Sequence, residues 1–458
     1  MEKKRRRCGM TRRNGEQYCT EHLNIWKKKQ GNAVHNNNNN NNESKVHDNE
    51  KNNDQRIPCP LDPNHTVKKS QLEKHLKKCN KTKLKHSNDG KPYYSIDING
   101  DHHPHKEQSK LEITETSRNK WIMETISILE EISKSNLFDE MPLIEKSNKF
   151  MEENRFKLLT NKKHAIQQSS LIQHMIDKKM FRNNPNFIEF GSGRAEFSRY
   201  VNQVVLCENN NDIDSTDVEP QTSNFIFIDR ASNRMKFDKK ILDDYVEWIS
   251  NKNKKSGEKM NVPDIKRVKI DIRDLKLDPL LSFPNNNNYV AISKHLCGVA
   301  TDLTLKCIQN SDILTGKDLS SPSNFDGICI AMCCRHVCNS NDYVNPVFVN
   351  SLLEKYGHDE TFTYDQFFYS LQKMCSWATC GRRDDMNDHD VVRITDDKSI
   401  TLKEREQFGL LARRIIDEGR KNWVKKNLNN ANDFTVELVK YVHSDVSLEN
   451  IVLLVSKK

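Results

Sequence analysis

The sequence predicts small metal-held modules followed by an α/β domain, a doubly wound fold with a seven-stranded, mostly parallel sheet. Three observations predict it. Cysteines and histidines recur at ligand spacing within residues 1–82. Short apolar runs alternate with helical or loop segments from residue 186 onward. The first of those runs ends in a glycine turn that opens a helix.

The metal-held part is clearest at Ile57-Pro58-Cys59-Pro60-Leu61-Asp62-Pro63-Asn64-His65, followed by His75 and Cys79. It reads Cys-x5-His-x9-His-x3-Cys. A spacing of four puts His75 and Cys79 on one helical face, a turn apart. Cys59 and His65 flank a Pro/Asp/Asn turn that folds back toward them. Two thiolates and two imidazoles complete a closed tetrahedral Zn2+ site. So polar a segment cannot build a core, and metal ligation can supply roughly 10–16 kcal/mol in its place. Upstream, Cys8, Cys19 and His22 form a further incomplete ligand set, with Cys19 and His22 at tight ligand-pair spacing. A fourth ligand is expected from His35 or from upstream of Met1.

Composition frames these modules. The chain has 458 residues, room for two or three domains, yet only 35% are hydrophobic and 30% are charged. The asparagine runs at 36–42 and 285–288 and the acidic insert at 209–221 read as solvated linker or loop. Net charge is +9, and Lys3 to Arg7, Lys27 to Lys29, Lys68-Lys69 and Lys77-Lys78 crowd the metal-held part. That pattern favours a polyanion such as nucleic acid. No amphipathic apolar face accompanies the charge, so no membrane partner is expected. There are 13 cysteines, with neither a signal-peptide pattern nor a bilayer-length apolar run. Reduced thiols in an intracellular compartment, nucleus or cytoplasm, are expected. The organisation is therefore residues 1–30 a first finger, 31–55 an Asn-rich linker, 56–82 the second finger, 83–118 a polar linker and 119–458 the α/β domain. His102, His103 and His105 fall in that second linker.

The α/β domain opens with an amphipathic helix carrying Trp121, Ile122, Thr125, Ile126, Leu129 and Ile132. A second helix runs through Leu171 and Met175. Strands are expected at 186–190, 225–229, 267–272, 289–293, 327–332, 434–442 and 451–455, the last two an antiparallel hairpin joined by a short turn. Phe190-Gly191-Ser192-Gly193 is the strand-to-helix turn, and Gly191 and Gly193 let backbone approach a ligand closely. The third glycine of the dinucleotide fingerprint is replaced by Glu196, which argues against NAD. Glu189 suits a cationic ligand, Asp229 ribose hydroxyls, and Asp271 an adenine ring. This set resembles class I (Rossmann-like) S-adenosylmethionine methyltransferases, with S-adenosyl-L-methionine as cofactor.

Residues after the fourth strand would face the transferred methyl. Lys294 and His295 are the candidates there for a base or for orienting a hydroxyl, and Lys294 can instead hold a phosphate. Cys333, Cys334 and Cys338 follow the fifth strand, read as small buried thiols, a crowded metal site or a nucleophile for pyrimidine C5. No proline-cysteine element or partner acid supports the nucleophile. Arg335 and His336 are the better substrate contacts, and His336 joins the catalytic set. The segment 403–426 is a long basic helix, with Arg405, Arg413, Arg414, Arg420 and Lys421 expected to include exposed phosphate contacts.

Taken together, these motifs resemble the eukaryotic tRNA ribose 2'-O-methyltransferases that modify nucleotide 4 of the acceptor stem. The resemblance covers most of the chain. It rests on Arg5-Arg6-Arg7-Cys8 with Tyr18-Cys19-Thr20-Glu21-His22, the Cys59/His65/His75/Cys79 finger, Phe190-Gly191-Ser192-Gly193, Asp229-Arg230, Lys294-His295-Leu296-Cys297-Gly298 and Cys333-Cys334-Arg335-His336. The family's first finger has a further cysteine upstream of the basic run. The resemblance implies tRNA as partner and a CCCH-like first finger. It also implies methylation of the 2'-hydroxyl at cytidine 4 or adenosine 4. An RNA base or protein methyltransferase on the same fold, or a non-catalytic zinc-finger RNA-binding protein, are the alternatives.

Overall fold

The computed structural model describes residues 56–100, 114–208, 222–251, 262–283, 288–316, 324–379, 387–394, 398–428 and 433–458. Cys8, Cys19, His22, His35 and the histidines at 102, 103 and 105 lie outside the described residues. Backbone packing divides the chain into one unit ending at Leu76 and a second running from Lys77 to Lys458.

The finger region begins with an antiparallel hairpin of β1 (Arg56–Cys59) and β2 (Asp62–Lys68). A register shift at Pro58/Cys59 turns the strand end, as expected where proline removes a ladder donor. Helix α1 (Leu72–Lys78) follows, then α2 (Asn80–Asn88), which starts directly after Cys79. The Cys79 carbonyl accepts the first helical hydrogen bond of α2, from Lys83 N at 2.9 Å.

The sequence predicts a polar linker at 83–118, but residues 83–100 pack against the α/β domain. Asn88 donates to the Lys269 carbonyl at 3.0 Å, and Asn99 to the carbonyls of Ile272 and Leu275 at 2.7 and 2.8 Å. Tyr93 and Tyr94 lean on the apolar core beneath. Paired amides and two aromatic rings supply what the polar composition of the segment concealed.

In the domain proper, α3 (Glu115–Lys134) is capped by Thr114, whose side chain accepts from Ser117 N at 3.1 Å. After α4 (Lys149–Asn154) and α5 (Lys163–Asp177), strands and helices alternate. They are β3 (Asn186–Phe190), α6 (Glu196–Glu208), β4 (Phe225–Asp229), α7 (Asp238–Asn251), β5 (Ile265–Lys269), β6 (Tyr289–Cys297), α8 (Val299–Gln309), α9 (Asp312–Thr315) and β7 (Phe325–Cys333). Then come α10 (Pro346–Tyr356), α11 (Tyr364–Cys375), the small hairpin β8 (Val391–Arg393) and β9 (Ser399–Thr401), α12 (Leu402–Asn427), β10 (Phe434–Lys440) and β11 (Ile451–Lys457).

The central sheet has seven strands in the order β10-β11-β7-β6-β3-β4-β5. The five from β5 to β7 are parallel, and β11 runs antiparallel between β7 and β10. Helices on both faces bury the strands, which is why β3 and β4 are buried without alternation. The strand order reverses between β3 and β6, so ligands are expected outside the carboxyl ends of those strands.

Two strands depart from the sequence expectation. β5 stops at Lys269, so Asp271 lies beyond it and caps a 3₁₀ turn at Ile272–Asp274. β6 runs past Ser293 to Cys297 through an irregularity at Ser293/Leu296 that sets three steps against two on β7. The hairpin of β10 and β11 is joined by residues 441–450 rather than a short turn.

A helical layer of α3, α10, α11 and α12 has its own core, built from residues such as Ile126, Leu129, Phe367, Leu371 and Ile415. Helix α12 departs from the expectation of an exposed basic face at two of its arginines. Arg413 and Arg420 are 1% and 0% exposed, as is Arg335 at 0%. Arg335 pairs with Asp417 at 2.7 Å and Glu449 at 2.5 Å, Arg413 with Glu449 at 2.7 Å, and Arg420 with Asp302 at 2.6 Å. Buried guanidinium ions demand such carboxylates, and a one-dimensional reading cannot tell them from solvated ones. Arg335, expected at the substrate, is likewise part of the framework. No helix among the described residues is long and apolar enough to cross a membrane.

Candidate active site

From Phe190 the chain turns through Gly191 and Gly193, with φ of 64° and 52°, into α6. A Cβ on Gly191 would lie 3.3 Å from Leu296 Cδ1 and 3.7 Å from the His295 carbonyl, so the turn abuts the end of β6. A Cβ on Gly193 would meet nothing within 4 Å, so this part of the turn faces open space. Gly193 N–H donates to Asp229 Oδ2 at 2.7 Å, and Ala231 N–H to Oδ1 at 2.7 Å. A carboxylate offers about four acceptor positions, so Asp229 can bind further hydroxyl groups. Arg267, which sequence reasoning passed over, donates to the Gly193 carbonyl at 3.0 Å and grips Asp238 with both arms at 2.7 and 2.6 Å.

Glu189 is 4% exposed and accepts from Ser198 Oγ at 2.5 Å. Burial pushes its carboxyl up to about 7, against the pull of the Ser198 hydrogen bonds. Asp271 accepts from Arg273 N at 3.2 Å and forms an ion pair with Lys81 of α2. Burial alone would raise its pKa, but the Lys81 charge and hydrogen bonds outweigh it and hold the carboxyl below the usual range. Open space at Gly193, acceptors at Asp229, a buried carboxyl at Glu189 and a half-buried one at Asp271 fit a cationic nucleoside.

At the irregular end of β6, Lys294 is 8% exposed. Its Nζ lies 3.0 Å from His164 Nδ1 and 2.9 Å from His295 Nε2. Burial pushes the Lys294 amine down to about 8, with Glu196, Cys333 and Glu189 opposing. Burial, then the neighbouring Lys294 and His164, push His295 down to about 4, although its ring reaches the mouth of the cleft. His164 is lowered first by the Lys294 charge and then by burial. Both rings are therefore neutral acceptors at neutral pH. A neutral amine can donate one N–H to each and keep its lone pair. His164 was invisible in the sequence: it sits in the first turn of α5, 130 positions from Lys294.

His164 and His295 line a cleft of about 420 Å³ with Gln167, Cys297, Cys333, Cys334 and, from the 441–450 connection, Val446, Ser447 and Glu449. His336 does not line it. His336 sits in a 3₁₀ turn at Arg335–Val337, where its carbonyl accepts from Gln372 Nε2 at 2.8 Å.

In the finger, one ligand atom each from Cys59, His65, His75 and Cys79 lies within 4.8 Å of the others. His65 Nε2 is 3.0 Å from His75 Nε2, which is 3.2 Å from Cys59 Sγ. Such crowding of two rings and thiols is what a shared tetrahedral cation produces.

Comparison with known proteins completes the picture. The U11-48K-like CHHC zinc finger model matches residues 56–80, and the model for the CCCH zinc finger in TRM13 protein matches residues 1–23. The Methyltransferase TRM13 model matches residues 166–456. The tRNA:m(4)X modification enzyme TRM13 of Saccharomyces cerevisiae is 50% identical, covering 100% of this chain and 95% of its own length. Its counterparts in Vanderwaltozyma polyspora and Schizosaccharomyces pombe are 44% and 35% identical, over 100% and 88% of this chain and 96% of each relative. Among solved structures, the plantazolicin methyltransferase BpumL in complex with SAH covers 75% of this chain and 99% of that one, at 10% identity and a TM-score of 0.25, too slight a likeness to build on. With one model spanning most of the α/β domain and full-length relatives at up to half identity, this chain belongs to the TRM13 methyltransferase family.

Proposed function

We propose that this chain methylates the ribose 2'-hydroxyl of nucleotide 4, a cytidine or adenosine, in the tRNA acceptor stem, with S-adenosyl-L-methionine as donor. The observation that carries the reading is the Lys294 amine, buried between two neutral imidazoles beside the glycine turn. The choice of tRNA and of position 4 is supported by the relatives, which are named tRNA:m(4)X modification enzymes.

The cofactor, when bound, supplies a methyl group on a sulfonium centre. Asp229 holds ribose hydroxyls with its remaining acceptor positions, Glu189 counters the cationic end, and Asp271 faces the adenine side. Lys294 removes the 2'-hydroxyl proton as the oxygen attacks the methyl carbon. The proton moves to Nζ, the O–H electron pair stays on oxygen to form the new O–C bond, and the C–S bond breaks with its pair going to sulfur, which leaves as a neutral thioether. His164 and His295 hold the two amine N–H groups, which aims the lone pair outward. His336 stands outside this scheme as a contact to flanking substrate. Duplex RNA exposes its 2'-hydroxyls in a wide, shallow minor groove, so the reaction needs no flipped base. Exposed Lys74, Lys77 and Lys78 beside the finger provide phosphate contacts.

The test is mass mapping of nucleosides in tRNA incubated with the chain and labelled cofactor. An alkali-resistant linkage at position 4 is expected. Label on a base would replace this reading with base methylation, and RNA binding without transfer would leave a non-catalytic binding protein.

A further inference from the structure

Ten cysteines are among the described residues, two of them in the finger. Cys307, Cys329 and Cys375 are buried in the cores, and Cys338 accepts from buried Arg420 at 3.1 Å. Cys297, Cys333 and Cys334 differ. Their three Sγ atoms lie within 4.8 Å of one another, with Cys297 Sγ and Cys333 Sγ 3.2 Å apart.

Three backbone features assemble this trio. Cys297 and Cys333 are register partners at the ends of adjacent parallel strands. Cys334 adopts a left-handed conformation, φ 52°, which a non-glycine residue rarely takes without a reason. Glu449 holds that conformation by accepting from Cys334 N–H at 3.0 Å. The trio is graded in exposure: Cys333 buried, Cys334 half-buried and Cys297 exposed. All three line the cleft.

The finger of the same chain is a useful measure. Its ligand atoms approach to 3.0 and 3.2 Å. The sulfur trio shows the same crowding with three ligand atoms in place of four among the described residues. Three soft donors and one open position form the pattern of a cation that keeps a place for water or substrate.

We propose that Cys297, Cys333 and Cys334 form a three-thiolate site for a thiophilic divalent cation, zinc above all, with its fourth position open to the cleft. Binding replaces each S–H bond by an S–metal bond and releases those protons to solvent, with no change of oxidation state. The cation ties the ends of β6 and β7 together beside Lys294, and its open position takes a water or a substrate oxygen. The site does not depend on which nucleotide is methylated.

The experiment uses the full chain purified under reducing conditions, loaded with zinc and dialysed. Elemental analysis should find one zinc fewer in Cys297→Ser and in Cys334→Ser than in the parent. Cys79→Ser should lose a different zinc, additive with these. In the parent, alkylation of Cys297 by iodoacetamide, mapped by mass spectrometry, should be slow with zinc and fast after chelation. This arm needs no variant, so it decides even where a serine substitution misfolds. Equal zinc content with zinc-independent alkylation would overturn the site. So would a Cys297–Cys333 disulfide in the freshly reduced, zinc-loaded chain.

Discussion

The finger at residues 56–80 and the cleft at the ends of β6 and β7 both gather cysteine and histidine, but they are held together by opposite means. In the finger the ligands are the core: Cys59 and Cys79 are 1% and 2% exposed, and Val67 is buried between them. In the cleft the reactive side chains hang on a sheet whose strands are buried on both faces. One region therefore stands or falls with its donor atoms. The other can lose a reactive atom and keep its shape.

The sharpest way to break that contrast is Cys79→Ser. Three remaining ligands leave an open, weaker site, and ligation worth roughly 10–16 kcal/mol is largely forfeited. Loss of one zinc by elemental analysis is expected, together with rapid proteolysis within 56–80, while the sheet's melting transition remains. Retained zinc would show that the finger has another support.

Lys294→Ala should act in the opposite manner. Turnover should fall about 10²–10⁴-fold, the usual worth of a general base, with the melting temperature and cofactor affinity held. Rapid-quench kinetics beside calorimetry separate the two. A variant that turns over normally would remove Lys294 from the chemistry.

Between these extremes lies Asp417→Ala, which leaves buried Arg335 only Glu449, a carboxylate it shares with Arg413. Breaking a buried pair costs up to about 3–5 kcal/mol, visible as a shifted denaturant midpoint. A shift no larger than that of a surface substitution would mean the network contributes little.

The pH profile sharpens the assignment further. Lys294 is pushed down from 10.5 to about 8, and only its neutral form accepts a proton. The rate should thus climb through neutral pH and level off above about 8. His295, pushed down to about 4, is neutral throughout and adds no limb there. Loss of the climb in Lys294→Ala is the check, and an unchanged profile would point to another base.

The smallest effect is expected from Gly193→Ala. The added methyl meets open space, so only the positive φ resists it, at about 1–2 kcal/mol. Calorimetry should show weakened cofactor binding with little loss of fold, and a large drop in melting temperature would contradict the open surface at this turn.

What could be read in advance follows from range along the chain. The finger's four ligands fall within a short segment, so spacing alone found them. The glycine turn and Asp229 announce themselves through strand, turn and strand end. His164 does not, because nothing local distinguishes it, and it meets Lys294 only after the sheet closes. The arginines of α12 misled for a related reason: their carboxylates, Asp302 and Glu449, come from α8 and the 441–450 connection. Burial of a charge depends on a partner that a local pattern does not contain. The stretch 83–100 looked like linker because its contacts to the sheet are made largely by backbone groups and amide side chains.

Glu449 gives the architecture a genetic signature. Its carboxylate meets Arg335 and Arg413 behind the cleft and the Cys334 amide at its wall. Helix α12 thereby sets where that wall stands. Random mutagenesis scored only for lost methylation would return hits at Arg413 and Asp417 as readily as at Lys294. Grouping those hits by whether soluble protein accumulates would sort the two kinds, and suppressors of the α12 class should arise as second-site changes among the acidic partners rather than in the cleft.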